Sequence, residues 1–197
     1  DPDYAADVFS KSGIAALSVL VEPEHFGGSP ELFAFFRTRV SIPMLFKDFV
    51  ATDQQVELAH RLGADAILLI AKALDARALE HLVESSHAKG IEPVIELHDT
   101  DDVHKIESIN CLMPTDVLGI NSRDLRTLDT SLDGLKQLRA AVPTGHPVIA
   151  ESGVRSGRDV LHLNGFNGIL VGSALMQSEN MPSTISELVT AGRRMSQ

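Results

Sequence analysis

Four short apolar runs of the chain contain, or are directly followed by, side chains that could transfer a proton or orient a reacting group. These side chains are Lys47 after residues 44–46, Glu96 within 94–97, Asn121 and Arg123 after 118–120, and Glu151 after 148–150. Burying an unpaired charge is costly, so their repeated placement at the same end of such runs predicts a shared polar pocket. In such a pocket, a lysine that faces two glutamates is a candidate acid or anion anchor.

Each of these charged residues also has a structural interpretation. Lys47 could extend from a strand end into solvent. Glu96 has apolar neighbours that hinder its exposure, and it could be a buried carboxylate paired with Lys47 or Arg123. The same alternative holds for Glu151.

Two glycine-serine pairs follow the last two apolar runs. Ser152-Gly153 comes after residues 148–150, and Gly172-Ser173 comes after 170–171. Glycine lets the backbone approach an anion, and a helix that begins there directs N–H groups at it, which predicts a phosphate site. Either pair could also be an ordinary turn.

The segment 98–104 contains two histidines and three aspartates and superficially resembles a metal cluster. We interpret it as an acidic helix start, with Asp99 or Thr100 as the cap, and predict no metal site. Phe26 and Phe49 lie in or beside the loops of the predicted pocket, where an aromatic substrate could contact them.

The elements that position these residues alternate along the chain. We predict strands at 15–20, 44–46, 66–70, 93–97, 117–120, 148–150 and 168–171, each an apolar run of the kind found in a parallel sheet covered on both faces. Helices between them have recognisable ends: Thr52 or Asp53 and then Asp75 as caps, and Gly63 and Gly90 as stops. The alternation indicates an α/β fold. No G-x-G-x-x-G motif follows the first strand, so within this class we predict a (β/α)8 TIM barrel and not a doubly wound sheet.

The composition excludes several classes of protein. With 197 residues, 44% hydrophobic and 22% charged, the chain fits one soluble domain, residues 1–197, and no run of about 18 apolar residues suggests a membrane span. Its formal charge of −10 argues against a nucleic-acid partner but permits a small phosphorylated ligand. The single cysteine, Cys111, and an acidic amino end indicate a cytoplasmic protein.

Several motifs together resemble those of the indole-3-glycerol phosphate synthase family, in its order and nearly its spacing. They include Phe46-Lys47-Asp48-Phe49, Gly119-Ile120-Asn121-Ser122-Arg123-Asp124-Leu125, Ala150-Glu151-Ser152-Gly153 and Leu170-Val171-Gly172-Ser173. The resemblance implies a carboxy-lyase of tryptophan biosynthesis. Such an enzyme converts 1-(2-carboxyphenylamino)-1-deoxyribulose 5-phosphate to indole-3-glycerol phosphate, CO2 and water, without a cofactor.

The same resemblance implies roles for individual residues. Lys47 matches the acid that protonates the ribulose carbonyl oxygen as the aromatic carbon attacks, and Glu96 matches a carboxylate with an acid/base role in the later dehydration. Asn121, Arg123 and Glu151 match residues that line and orient the substrate. Four residues match those that form the apolar walls around the anthranilate ring: Phe26, Phe49, Leu68 and Leu125. Four others match those of the phosphate site: Ser152, Gly153, Gly172 and Ser173.

The chain departs from the family pattern in two ways. Segment 106–116 is a few residues longer than usual, which we expect to alter an outer helix and a loop at the face opposite the pocket. Family members also begin with an extension and a first strand ending in Glu-x-Lys-x-x-Ser, which contributes a catalytic lysine and glutamate. Since this chain opens in what corresponds to the following helix, we expect seven strands here, either because its amino end is missing or because it is a shortened relative.

Two other functions remain open at this stage. One is another phosphate-binding barrel enzyme, such as phosphoribosylanthranilate isomerase. The other is an inactive or split barrel that serves as a binding or assembly module. For the leading hypothesis, the expected oligomeric state is a monomer or weak homo-oligomer. An enzyme of a neighbouring step in the same pathway is a candidate protein partner.

Overall fold

The structure is a computed structural model that describes residues 1–121 and 132–195. These residues form seven strands: β1 Leu17–Leu20, β2 Met44–Lys47, β3 Ala66–Ile70, β4 Glu92–Leu97, β5 Val117–Asn121, β6 Val148–Glu151 and β7 Gly168–Leu170. They also form nine helices: α1 Pro2–Lys11, α2 Pro30–Arg37, α3 Asp53–Arg61, α4 Ala76–Ala88, α5 Thr100–Ser108, α6 Leu132–Ala141, α7 Gly157–Leu161, α8 Ser173–Met176 and α9 Met181–Met195. A 3-10 turn, Ala71–Ala73, follows β3.

The strands form one parallel sheet in chain order, from β1 to β7. This confirms the predicted α/β alternation, in which a helix carries the chain back so that the next strand can run parallel to the last. Seven of the eight strands of a (β/α)8 barrel are therefore present. The predicted strand limits are wrong by one or two residues. Strand β1 begins two residues later than predicted, at Leu17. Strands β2, β5 and β6 each extend one residue further, to Lys47, Asn121 and Glu151.

The two faces of the sheet bury different apolar clusters. Alternate strand residues such as Phe46, Leu69 and Ile95 pack with helix residues in the main core, between the sheet and the surrounding helices. The intervening positions form a smaller cluster on the opposite face. That inner cluster is built from Leu45, Leu68, Ile70 and Val94.

The sheet is strongly curved around its inner face. In a flat sheet, β2 and β6 would lie about 19 Å apart, since neighbouring strands are about 4.8 Å apart. Yet Lys47 Nζ at the end of β2 lies 3.3 Å from Glu151 Oε2 at the end of β6. Curvature therefore brings the inward-facing side chains of distant strands together at one end of the sheet.

The helix ends follow the predicted capping chemistry. The Asp75 side chain accepts a hydrogen bond from the Ala78 N–H, and the Asp99 side chain accepts one from the Asp102 N–H. Thr52 precedes α3 without a side-chain cap bond, so the prediction of Thr52 is confirmed in position only. No helix within the described residues is long and apolar enough to cross a membrane.

Segment 106–116 comprises the last residues of α5 and the loop that leads to β5. It precedes the amino end of β5, whereas Lys47 and Glu151 lie at the carboxyl ends of their strands. Its last residue, Asp116, is buried, accepts a hydrogen bond from the Met113 N–H and lies 2.8 Å from His87 Nε2. The segment is therefore an outer helix end and loop away from the predicted pocket, as expected.

Candidate active site

Lys47 lies between two buried carboxylates at the carboxyl ends of the strands. Its Nζ donates hydrogen bonds to Glu96 Oε2, at 3.4 Å, and to Glu151 Oε2, at 3.3 Å. The Lys47 side chain is 22% exposed, against 4% and 2% for those of Glu96 and Glu151. The interpretation of Lys47 as a lysine extended into solvent is therefore wrong, and the three charged side chains form one buried cluster.

Asn121 and Gly119 complete the polar cluster from β5. Asn121 Nδ2 donates a hydrogen bond to Glu96 Oε1 at 3.1 Å, and Asn121 stands opposite Glu151 in the sheet register. A Cβ at Gly119 would lie only 2.1 Å from Glu151 Oε1. Glu151 can occupy this space because Gly119 has no side chain.

The environment separates the pKa values of the two carboxyl groups. Burial raises the pKa of Glu151 to about 7, with the charge of Lys47 opposing this shift and the charge of Glu96 adding to it. Burial also acts to raise the pKa of Glu96, but the contact with His98 and the charge of Lys47 outweigh it and lower the pKa to about 2. Near neutral pH, Glu96 is thus ionised while Glu151 can hold a proton.

The two glutamates in turn shift the pKa of Lys47. Burial alone would lower the pKa of Lys47, but the charges of Glu151 and Glu96 outweigh burial and raise the pKa. Lys47 is therefore a protonated ammonium group at neutral pH. A cation between one ionised and one protonatable carboxyl group can donate, hold and accept protons within a single cluster.

Two exposed aromatic rings lie in the loops that follow β1 and β2. The rings of Phe26 and Phe49 lie 6.1 Å apart, and the side chains are 57% and 48% exposed. Leu68 is buried in the inner cluster of the sheet. Arg123 and Leu125, the two other predicted substrate contacts, lie outside the described residues.

The predicted phosphate-binding turns follow neighbouring strands. Ser152 and Gly153 come directly after β6 and both have left-handed backbones, with φ of 65° and 80°. Such a conformation is strained for serine. Gly172 precedes Ser173, the first residue of α8, and a Cβ at Gly172 would meet no atom within 4 Å. The backbone at Gly172 therefore has open space beside it.

His98 is a neighbour of Glu96 that the sequence interpretation missed. Asp99 is the cap of α5, as predicted, but the His98 side chain is 8% exposed and its Nε2 lies 3.1 Å from Glu96 Oε1. The two-residue spacing was the available signal, because residues i and i+2 of a strand share a face.

One group of described residues has the donor atoms of a metal site. Ligand atoms of Glu22, Glu24 and His25 lie within 4.8 Å of one another. However, the Glu22 carboxylate already accepts hydrogen bonds from the backbone N–H groups of Glu24, His25 and Phe26. Its contacts are those of a carboxylate that holds a loop in shape.

The parallel strands and the charged cluster at their carboxyl ends define a TIM-barrel protein with a site where barrel enzymes carry their chemistry. The sequence pattern described as "Indole-3-glycerol phosphate synthase" matches residues 1–188. The chain belongs to the indole-3-glycerol phosphate synthase family.

Individual relatives agree with this assignment. The chain is 38% identical over 192 residues to an indole-3-glycerol phosphate synthase from Carboxydothermus hydrogenoformans, covering 96% of this chain and 71% of the relative. It is 36% identical over 194 residues to indole-3-glycerol phosphate synthase 1 from Streptomyces coelicolor, covering 98% and 71%. These matches favour the synthase hypothesis over the isomerase and binding-module alternatives.

Solved structures support the fold. KGPDC from Streptococcus mutans superimposes with a TM-score of 0.72 at 13% identity, covering 98% of this chain and 92% of that one. The Amycolatopsis orientalis BexX/CysO complex gives a TM-score of 0.71 at 18% identity, covering 99% of this chain and 84% of that one. At these identities the likeness concerns the barrel architecture alone.

Proposed function

We propose that the chain catalyses the decarboxylating ring closure of 1-(2-carboxyphenylamino)-1-deoxyribulose 5-phosphate to indole-3-glycerol phosphate, CO2 and water. The observation that carries this proposal is the Lys47 ammonium group, which lies between Glu96 and Glu151 in a member of this family. The reaction takes place in the cytoplasm, uses no cofactor and needs only the small phosphorylated substrate as partner.

Lys47 is the acid of the first step. The ring carbon that bears the carboxylate attacks the ribulose carbonyl carbon, and the carbonyl oxygen takes a proton from the Lys47 ammonium group as the carbon–carbon bond forms. Loss of CO2 then returns the bonding electrons to the ring and restores its aromaticity. The raised pKa of Lys47 keeps the lysine protonated, which is the state from which an acid must start.

Glu96 serves the dehydration that follows. The hydroxyl group leaves as water after taking a proton from the Glu151 carboxyl group, which can hold one near neutral pH. The neighbouring carbon loses a proton to Glu96, so that the double bond of the pyrrole ring forms, and protons from solvent and from Glu96 then restore Glu151 and Lys47. Because the pKa of Glu96 is lowered, its carboxylate is ionised and ready to accept that proton. Asn121 and Glu151 orient the substrate hydroxyl groups, and Glu151 also holds Lys47.

The two ends of the substrate bind to different loops that follow the strands. Phe26, Phe49 and Leu68, with Leu125, form the apolar wall for the anthranilate ring, and Arg123 pairs with an anionic group of the substrate. Ser152, Gly153, Gly172 and Ser173 bind the phosphate through their backbone N–H groups. Binding energy from the ring and the phosphate positions the reacting carbons next to Lys47.

The test compares Lys47→Ala with Lys11→Ala, which removes an exposed lysine on α1. We expect Lys47→Ala to lower kcat for indole formation at least ~100-fold and Lys11→Ala to leave it unchanged. Ultraviolet absorbance follows the indole product, and thermal unfolding shows whether each variant is folded. If Lys47 is dispensable, its role as the acid is wrong. If the unaltered chain binds the substrate but forms no indole product, the proposed enzyme activity is wrong.

A further inference from the structure

A buried histidine contacts Glu96 from the side opposite Lys47, and the mechanism proposed above does not use it. His98 follows the last residue of β4 and continues the inward face of the strand that carries Glu96. Its Nε2 lies 3.1 Å from Glu96 Oε1, the oxygen that also accepts the Asn121 hydrogen bond. Lys47 contacts the other oxygen, Oε2. Both oxygens of Glu96 therefore have partners.

The imidazole of His98 lies between two carboxylates. Asp102, in the first turn of α5, is 1% exposed, and its Oδ2 accepts a hydrogen bond from the His98 backbone N–H at 2.9 Å. The same oxygen lies 3.9 Å from His98 Nδ1. The ring thus faces Glu96 through one nitrogen and Asp102 through the other.

Asp102 is itself held in place. Its Oδ1 lies 3.7 Å from Lys105 Nζ, one turn further along α5. Lys105 Nζ also donates hydrogen bonds to the backbone oxygens of Ala71 and Leu74, in and after the turn that follows β3. A chain of contacts therefore runs from the partly exposed Lys105, which binds the loop after β3, through the buried Asp102 side chain and His98 to Glu96.

We infer that His98 is a positioning residue for Glu96, held by Asp102, and that it keeps the Glu96 carboxylate oriented towards the reacting atoms as a hydrogen-bond acceptor. In the structure His98 Nε2 lies 3.1 Å from Glu96 Oε1 without the alignment of a hydrogen bond. A small rotation of the imidazole lets the tautomer with hydrogen on Nε2 donate to that oxygen, which restrains rotation of the carboxylate beside Glu151. This inference rests on the proposed function, because it assigns Glu96 the proton transfer of the dehydration step.

The first variant replaces the imidazole that contacts Glu96 with an apolar side chain. We expect His98→Leu to lower kcat about 10-fold to 100-fold with little change in KM, as for loss of a group that orients a reacting residue. The acidic limb of the kcat–pH profile moves to higher pH, because the contact that lowers the pKa of Glu96 is gone. The groups that face Glu96 from other strands, Lys47, Asn121 and Glu151, are unchanged in this variant.

Two further variants separate positioning from general stability. His98→Gln retains an N–H donor at about the reach of Nε2, so we expect it to restore most of kcat and the acidic limb. His87→Leu is the matched control, because His87 is also a partly buried histidine 2.8 Å from a buried aspartate, Asp116, but lies at the other end of the sheet. We expect His87→Leu to lower the melting temperature without moving the pH profile.

A measurement on the ligand-free protein tests the contact without activity. With 15N-labelled histidine, we expect Glu96→Gln to shift the His98 ring signals more than those of the other seven histidines among the eight in the chain. If the His98 signals do not change, the contact is wrong and the inference fails.

The outcomes separate this inference from the proposed function. If the unaltered chain forms no indole, the proposed function fails, and the role of His98 in the dehydration step fails with it. The NMR experiment still shows in that case whether His98 contacts Glu96. If the unaltered chain is active and His98→Leu leaves kcat and the acidic limb unchanged, only the inference fails. It also fails if His98→Leu and His87→Leu behave alike, or if His98→Gln restores nothing.

Discussion

At the scale of single residues, two glutamates at equivalent depths have opposite electrostatic roles. Glu96 has contacts with Lys47, Asn121 and His98, all of which favour its ionised form. Glu151 shares Lys47 but packs its Oε1 against Gly119, where that atom has no hydrogen-bond partner among the described residues. Burial acts to raise the pKa of both carboxyl groups. The contacts of Glu96 outweigh burial, whereas at Glu151 burial prevails over the charge of Lys47.

The raised pKa of Glu151 makes the stability of the protein depend on pH. The folded state binds this proton more tightly than the unfolded state does, so the stabilisation is complete below the ordinary pKa of 4.5 and is lost as the pH rises through about 7. Relative to Glu151→Gln, we expect the free energy of unfolding of the unaltered protein to fall by on the order of 1–3 kcal/mol between about pH 5 and pH 8.

Urea denaturation at several pH values measures this difference. Glu31→Gln, which changes an exposed carboxylate in the first turn of α2, serves as the control and should follow the unaltered protein. Parallel curves for the unaltered protein and Glu151→Gln would show that Glu151 does not bind its proton more tightly in the folded state.

At the scale of elements, the alternation of side chains along each strand sorts the molecule into core and site. Phe46 points to the helices and Lys47 to the inner face, and the same alternation separates Ile95 from Glu96. One strand contributes a glycine at the level of the charged cluster. Gly119 of β5 stands opposite Glu96 in the register and contacts the carboxylate of Glu151.

Gly119→Ala should therefore damage the site from within the sheet. The new methyl group would collide with Glu151 Oε1, so the carboxylate must turn away from Lys47. We expect a loss of about 1–3 kcal/mol in the free energy of unfolding together with a clear fall in kcat. Denaturation and steady-state kinetics measure the two effects.

Gly192→Ala in α9 is the matched control, since a Cβ there meets nothing within 4 Å. A gain of up to about 1 kcal/mol is expected for that helical position. Shortening Glu151 to Ala in the Gly119→Ala background should relieve the collision, giving a non-additive gain in stability. Wild-type kcat in Gly119→Ala would refute the tight fit.

At the scale of the whole molecule, an anionic protein has to bind an anionic substrate. The net charge is −10, so long-range attraction from the chain as a whole does not recruit a phosphate. In the proposed function, backbone N–H groups on the turns after β6 and β7 bind the phosphate at short range instead. The curvature of the sheet and the order of its strands bring these turns next to each other.

Inorganic phosphate should consequently stabilise the folded chain. At a concentration ten times its Kd, the gain is about 1.4 kcal/mol, or about 3–6 °C in Tm for a chain of this size. We expect Gly172→Asp, which adds a negative charge, to abolish this rise and Gly172→Ala to retain most of it, since there is room for a side chain. Thermal scans in sodium chloride of equal ionic strength provide the reference. Equal responses of the two variants would argue against a phosphate site at Gly172.

Much of the fold was predictable because its signals are local. Apolar runs, the caps Asp75 and Asp99 and the stop at Gly63 depend on residues within a few positions of one another. Strand limits were less predictable. Lys47, Asn121 and Glu151 belong to their strands because their backbones continue the sheet, although their side chains are polar.

The sequence by itself determined the strand and helix alternation, and it set Lys47, Glu96, Asn121 and Glu151 at the same end of a parallel sheet. Only the tertiary structure decided that one lysine joins both glutamates, that Glu151 fits against Gly119 and that His98 contacts Glu96. The physical reason is the range of the interactions. Side-chain alternation is a property of each strand, whereas contact between β2 and β6 requires the curvature of the whole sheet.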